Sequence, residues 1–273
     1  MPTIVGLGEV LWDVFPDRQR PGGAPANVAY HAQVLGNRGV VASRVGDDAR
    51  GRELTALLRE QGVDTSCLQV DPVRPTGTVE VTITEGEPTY TITPEVAWDH
   101  LAFDDALARL AADADAVCFS TLAQRADPSR RAIRQFLDAV PDEALRVLDV
   151  NLRPPFYSKA VIEASLARAD VVKVNRDEWD ILQEMFDTED LAAWLIETQG
   201  VELVVLTKGA AGSELFTANA HADQAPPAVD ASAGDAVGVG DAFLAVICHH
   251  RLRGTPVADT LAAANRYAAY VVT

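Results

Sequence analysis

Lysine is almost missing from this chain of 273 residues: Lys159, Lys173 and Lys208 are the whole set, and arginine carries the remaining positive charge. With 40 acidic residues against 23 basic ones the formal charge is -17, which argues against nucleic acid or an anionic membrane surface as a partner. Cysteine is equally sparse. Cys67, Cys118 and Cys248 lie far apart, with no metal-ligand or Cys-x-x-Cys spacing, and read as reduced core thiols of a cytosolic protein. No apolar run is long enough to span a bilayer, and no basic segment with an apolar run behind it opens the chain. A cytoplasmic location is therefore expected. Repeats, low-complexity stretches and Gly/Ser/Pro-rich linkers are lacking too, so a single domain over 1–273 is expected.

What is present is an alternation of short apolar runs and helical stretches. Ile4 to Leu7, Ala116 to Phe119, Arg146 to Val150, Val171 to Val174 and Leu203 to Leu206 suit strands buried on both faces. Helices are expected at Pro25 to Leu35, Asp48 to Gln61, Ser129 to Ala139, Ala160 to Ala167 and Glu178 to Phe186, the first two stopped by Gly36 and Gly62. This rhythm predicts an α/β fold: a doubly wound, mostly parallel sheet with helices on both faces. Ligands then bind at the carboxyl ends of the strands. One stretch departs from the rhythm. Thr76 to Thr84 and Thr89 to Thr93 alternate polar and apolar residues around the turn Glu85-Gly86-Glu87-Pro88, a hairpin with one solvated face. It reads as a small β-sheet projecting over the strand ends, as a dimer contact, or as an extra edge hairpin on the main sheet.

Five segments carry candidate chemistry. In Asp235-Ala-Val-Gly-Val-Gly-Asp-Ala-Phe243, a turn of Gly238, Val239 and Gly240 leads into an apolar helix, whose unpaired N–H groups and partial positive charge suit a phosphate. Asp241 beside that turn would repel an anion, so it reads as a base for a substrate hydroxyl, or as a helix cap. Gly22 and Gly23 before a helix allow close backbone approach, with Asn27 in its first turns to bind a hydroxyl. Asp13, after the first strand, could accept from two adjacent hydroxyls, or be a solvated loop residue. In Leu148 to Arg153, alternation along an exiting strand would put Asp149, Asn151 and Arg153 on one side, Arg153 as an anion clamp. Asn175 and Glu178 are spaced as a capping box, or as a site for magnesium and its waters. Thr207 and Gly209 at a further strand end suit a nucleotide along the sheet edge.

Taken in order, these segments resemble the ribokinase-like (PfkB) carbohydrate kinases, from end to end of the chain. The N-terminal signature is Gly22 to Asn27 with Ser43 to Asp48 and Gly51 behind it, the Asn-x-x-Glu motif is Asn175 to Glu178, and the C-terminal signature is Asp235 to Phe243. Gly8 to Asp13, Ala97-Trp98-Asp99 and Asp149 to Arg153 look most like fructokinase-type members. The resemblance implies ATP-dependent phosphorylation of a sugar hydroxyl, fructose first among acceptors, with Mg2+. Asp241 would be the base and Gly238, Val239 and Gly240 the anion hole. Asp13, Gly22, Gly23, Asn27, Trp98, Asn151 and Arg153 would bind sugar; Asn175, Thr207, Gly209 and Asn265 the nucleotide; and Glu178 the magnesium through water. Some relatives build a monovalent-cation (K+) site around the residue matching Asp235, though Ala236 replaces a common Thr there. The hairpin at about 76–93, with the loop near 12–21, would be a lid that also pairs two subunits in relatives. Other acceptors remain open: a 2-keto-3-deoxy sugar acid clamped by Arg44 or Arg153, ribose or a nucleoside, and, for so Lys-poor a pocket, least of all a sugar phosphate. A non-catalytic sugar- or nucleotide-binding protein is the reading from another class.

Overall fold

A computed structural model describes residues 1–84, 87–229 and 238–273, with the side chains outside 81–90. The turn expected at Glu85 and Gly86, and the candidate cation residue Asp235, lie outside the described residues. In chain order the elements begin β1 (Thr3–Leu7), β2 (Leu11–Val14), β3 (Gln19–Gly22), α1 (Ala24–Val34), β4 (Arg38–Gly46), α2 (Ala49–Glu60) and β5 (Leu68–Asp71). The pair β6 (Gly77–Thr84) and β7 (Glu87–Ile92) follows, then α3 (Asp105–Ala112), β8 (Ala116–Ser120), α4 (Asp127–Ala139), β9 (Leu145–Asp149), α5 (Lys159–Leu166), β10 (Val171–Asn175), α6 (Arg176–Phe186) and α7 (Leu191–Glu197). The chain closes with β11 (Leu203–Thr207), β12 (Ser213–Phe216), β13 (His221–Gln224), α8 (Val239–Arg251) and α9 (Val257–Val271).

The large sheet runs β13-β12-β11-β10-β9-β8-β1-β4-β5. From β11 to β5 every pairing is parallel, and only β12 and β13 turn back antiparallel at one edge. Buried runs such as Val171-Val172 and Leu203-Val204-Val205-Leu206 explain why these strands sit in the middle: both faces are covered by helices. Residues of α3 to α7 pack with Val5, Leu7, Val117, Phe119, Leu148, Val172 and Val204 on one face. On the other, α1, α8 and α9 pack with Ile4, Ala116, Cys118, Val147, Val171, Leu203 and Val205. Gly6 and Gly39 let α1 lie directly on the sheet, since a Cβ at either would meet a helix carbonyl at 1.9 Å. The three cysteines are free and buried. No described helix is long and apolar enough to cross a membrane.

The alternating stretch lies in a separate four-stranded sheet of order β3-β2-β6-β7, where β6 pairs antiparallel with β7 and parallel with β2. It is therefore not an edge hairpin of the large sheet. The segment 12–21, expected as a loop, is largely the hairpin of β2 and β3, with Asp13 opposite Arg20. The long strand β4, central enough to pair with both β1 and β5, had no strand expectation, because its Arg38-Gly-Val-Val-Ala-Ser-Arg-Val-Gly46 run shows neither clean alternation nor an unbroken apolar block.

Candidate active site

Three neighbouring strands carry polar side chains that face α8. Ala116 and Cys118 on β8, Val147 on β9 and Val171 on β10 pack into the α8 cluster, so the period of two puts Ser120, Asp149 and Lys173 on the same face. They stand in register, Ser120 opposite Asp149 and Asp149 opposite Lys173. Lys173 Nζ donates to both carboxylate oxygens of Asp149, at 2.9 and 3.1 Å. Both residues are buried. Burial alone would lower the Lys173 pKa, but Asp149, Glu178 and Asp241 outweigh it and raise it, so the ammonium stays charged.

The start of α8 comes down onto this pair. A Cβ at Gly240 would stand 3.2 Å from Lys173 Nζ, so glycine permits the approach. Gly238 precedes the helix with φ 80°, a left-handed conformation that glycine adopts without strain. The first N–H groups of the helix have no intrahelical acceptor and carry its positive end, above a charged ammonium. Asp241, in the first turn, is half-buried, one side toward a cleft of about 1490 Å³. Asn27 Nδ2 donates to Asp241 Oδ2 at 2.8 Å, joining segments 214 residues apart. Confinement and then the nearby Asp149 push the Asp241 carboxyl up to about 7, against the smaller pull of Asn27, Lys173 and Arg153. A carboxyl titrating there is tuned for general-base work near neutral pH.

One cleft brings together Asp13, Gly23, Asn27, Asn151, Arg153, Asn175, Glu178, Thr207, Gly209, Gly238, Val239, Gly240, Asp241 and Asn265. Gly22 and Trp98 do not line it. Gly22 supports it from behind, since a Cβ there would lie 2.5 Å from Asp13 Oδ2. Trp98 is buried beneath the Arg125 guanidinium, 4.0 Å from its ring, with Arg125 held in turn by both oxygens of Asp99. It packs with Leu122, which does line the cleft. The alternation expected through Arg153 fails: β9 ends at Asp149 and Asn151 takes a left-handed φ of 43°. Asn151 and Arg153 are positioned by this loop rather than by a strand.

The capping box is real. Glu178 N–H donates to Asn175 Oδ1 at 2.9 Å and Asn175 N–H to Glu178 Oε2 at 2.8 Å. Glu178 Oε1 accepts from Leu152 N–H at 2.9 Å, tying the loop after β9 to α6. Burial, and then Asp149, raise the Glu178 pKa. At the sheet edge, Asn265 Oδ1 accepts from Ser213 Oγ at 2.8 Å and its Nδ2 donates to Gln224 O at 3.3 Å, while Thr207 Oγ1 reaches Val174 O at 3.4 Å. Arg44, a candidate clamp for an acidic substrate, is bound to Asp71 and to His100 O and is not in the cleft wall.

Sequence reasoning gave no role to the Lys173–Asp149 pair, nor to Glu9, which is 1% exposed in the cleft wall. The visible signal for Lys173 was a lysine inside the Val-rich strand Val171 to Val174, in a chain with three lysines altogether.

The sequence profile of the pfkB family of carbohydrate kinases matches residues 7–273. The chain belongs to that family. A fructokinase of Salmonella typhimurium is 31% identical over 257 residues, spanning 88% of this chain and 81% of the relative. The crystal structure of an uncharacterized sugar kinase from Pyrococcus horikoshii superposes with a TM-score of 0.84 at 26% identity, over 99% of this chain and 90% of that one. A fructokinase from Vibrio cholerae O395, solved with fructose, ADP and a calcium ion, superposes with a TM-score of 0.79 at 26% identity, over 98% and 90% of the two chains. This pfkB-family chain is thus an ATP-dependent phosphotransferase acting on a sugar hydroxyl.

Proposed function

We propose that this kinase transfers the γ-phosphoryl group of ATP to a hydroxyl of D-fructose, with Asp241 as the base. The observation that carries the assignment of residues is the 2.8 Å hydrogen bond from Asn27 to Asp241. It puts the hydroxyl-binding Gly-Gly-helix turn and the anion-binding start of α8 against each other. The sugar lies over Asp13, Gly23 and Asn27. With Oδ2 held by Asn27, Asp241 Oδ1 takes the proton as the hydroxyl oxygen attacks phosphorus. The N–H groups at Val239 and Gly240, with Lys173 beneath them, stabilise charge on the transferring phosphoryl group. Arg153 flanks its path. The nucleotide runs along β10 and β11 toward Asn175, Thr207, Gly209 and Asn265.

The residues fit Mg2+ carried by the phosphates and waters rather than caged by protein. Among the described residues no group of three His, Cys, Asp or Glu side chains could hold a metal. Glu178 already accepts one backbone N–H on each oxygen, and its remaining lone pairs suit water ligands. When bound, Mg2+ would neutralise phosphate charge. A K+ site involving Asp235 stays part of the reading on the resemblance alone. The small sheet, which contributes Leu11, Asp13, Val79 and Ile92 to the cleft wall, is the lid of a single 1–273 domain, and a homodimer of this cytoplasmic enzyme pairs through that lid.

A neutral sugar is favoured over a sugar acid because Arg44 is committed to Asp71 and, of Arg44 and Arg153, only Arg153 lines the cleft. The test is ADP release from MgATP across a panel of sugars, with Asp241→Asn as the control. Turnover on fructose that disappears in the variant is expected. Turnover on another acceptor alone would move the substrate, and an Asp241→Asn enzyme of near-normal rate would remove the base.

A further inference from the structure

We propose that Glu9 is a further acceptor-binding residue, whose Oε1–H donates to a sugar hydroxyl while Oε2 is held by Ser120; this rests on the acceptor end of the cleft assigned above. Glu9 follows β1 and lines the cleft, yet it is 1% exposed. Ser120 Oγ donates to its Oε2 at 2.9 Å. Oε1 is buried with no hydrogen-bond partner among the described residues. A buried polar atom left unpaired costs more than its pairing gains, so such an atom in a ligand cleft points to a group that arrives with the ligand. The backbone of Glu9 is pressed against the sugar-binding turn: a Cβ at Gly23 would stand 2.5 Å from Glu9 O, which Gly23, at φ 106°, avoids.

The charge state follows from the neighbours. The groups acting on the carboxyl are its own backbone N–H, Ser120 from β8, Asp149 from β9 and Asp241 from α8, none of them a cation, and Lys173 is already committed to Asp149. Burial, and then these two carboxylates, push Glu9 up to about 7, against the hydrogen bonds that lower it. Protonated, Glu9 donates where Asp13 and Asp241 accept, and the cleft can read the two ends of a hydroxyl differently.

Glutamine keeps this pattern, with its carbonyl toward Ser120 and its amide as the donor; alanine does not. With D-fructose, or with whichever sugar the wild type phosphorylates, Glu9→Ala is expected to raise the acceptor KM roughly tenfold or more and leave the ATP KM within about twofold. Glu9→Gln should stay within about threefold of wild type. The wild-type acceptor KM should climb above about pH 7 as Glu9 ionises, and that of Glu9→Gln should not. A Glu9→Gln enzyme as impaired as Glu9→Ala, or a Glu9→Ala enzyme with an unchanged acceptor KM, overturns the proposal. Should Glu9→Ala fail to fold, the pH profile of Glu9→Gln against wild type decides alone. Calorimetric titration of the same proteins with the sugar panel separates this inference from the kinase reading. A sugar bound but never phosphorylated sinks that reading, and its affinities in the Glu9 variants still decide the role of Glu9. If none of the proteins binds any sugar, both fall.

Discussion

The middle of the large sheet and its antiparallel edge both contribute polar residues to the cleft, yet they treat them in opposite ways. At the edge, the polar groups are occupied by protein. Asn265 bridges Ser213 and Gln224, and Thr207 leans on Val174 O. In the middle, Glu9 and Asp241 are both pushed up to about 7, Glu9 with an oxygen that has no hydrogen-bond partner among the described residues, while Lys173 and Asp149 share a buried ion pair. Edge residues shape a surface against which a nucleotide can lie. Central residues are held in an environment that, on the proposed function, a bound phosphoryl group and hydroxyl would complete. Groups with perturbed protonation mark where the chemistry is done, and satisfied groups mark where shape is needed.

The sharpest way to break the comparison is Asp241→Asn. Turnover should fall ~10²–10⁴-fold with ligand binding retained, measured by ADP release and by calorimetry. A loss no larger than that from an edge substitution would erase the distinction. The next effect is on stability. Lys173→Met leaves the Asp149 carboxylate buried without its partner and should cost about 3–5 kcal/mol in urea unfolding, with the Lys173→Met/Asp149→Leu double variant recovering much of it. If the single variant unfolds like wild type, the pair is not desolvated.

Acid–base behaviour sharpens the contrast further. The base must be ionised, so kcat/KM of Glu9→Gln, in which position 9 no longer titrates, should rise with pH through about 7 and level off above it, whereas that of the wild type should fall again. Folding responds in the opposite sense. Because the folded pKa of Asp241 lies above its ordinary 3.8, the native state holds a proton that the unfolded chain releases. This contribution to stability is full below about 3.8 and is lost as pH rises toward 7. The Tm advantage of Asp241→Asn over wild type should therefore widen from pH 4 to pH 8, so the inactive variant is also the more stable one at neutral pH. A constant difference across that range would show that the carboxyl titrates normally.

The edge should respond least. Asn265→Ala removes two hydrogen bonds and should cost about 1–3 kcal/mol, seen in Tm along with any change in ATP KM. Thr207→Val, whose hydroxyl bond is long, should cost less than about 1 kcal/mol. A large kcat effect from either would mean that the edge takes part in the chemistry.

Much of the fold was legible because it rests on local patterns. The five buried strands expected from their apolar runs all formed, and the two helices stopped by Gly36 and Gly62 formed within a residue or so of the expected spans. β4 was not, because its pattern is mixed. The candidate site was legible as a set of motifs, since Gly238 and Gly23 advertise turns through backbone conformation that few residues adopt, and Asn175 advertises a cap through its side chain. The geometry after β9 was not, because alternation holds only while a strand lasts and Asn151 ends it. Trp98 was read with the sugar site from its motif, whereas the structure buries it under Arg125.

The sequence by itself determined the α/β rhythm, the anion-binding turn before an apolar helix, and the order of motifs that marks the family. These are properties of neighbours along the chain, set by backbone freedom and side-chain period. Tertiary structure alone decided that Asn27 would meet Asp241 across 214 residues and that Ser120, Asp149 and Lys173 would stand in register beneath α8. It alone left Glu9 Oε1 buried without a hydrogen-bond partner among the described residues. Contacts between distant segments, and the protonation they impose, come from burial and charge in three dimensions, and no spacing along the chain encodes them.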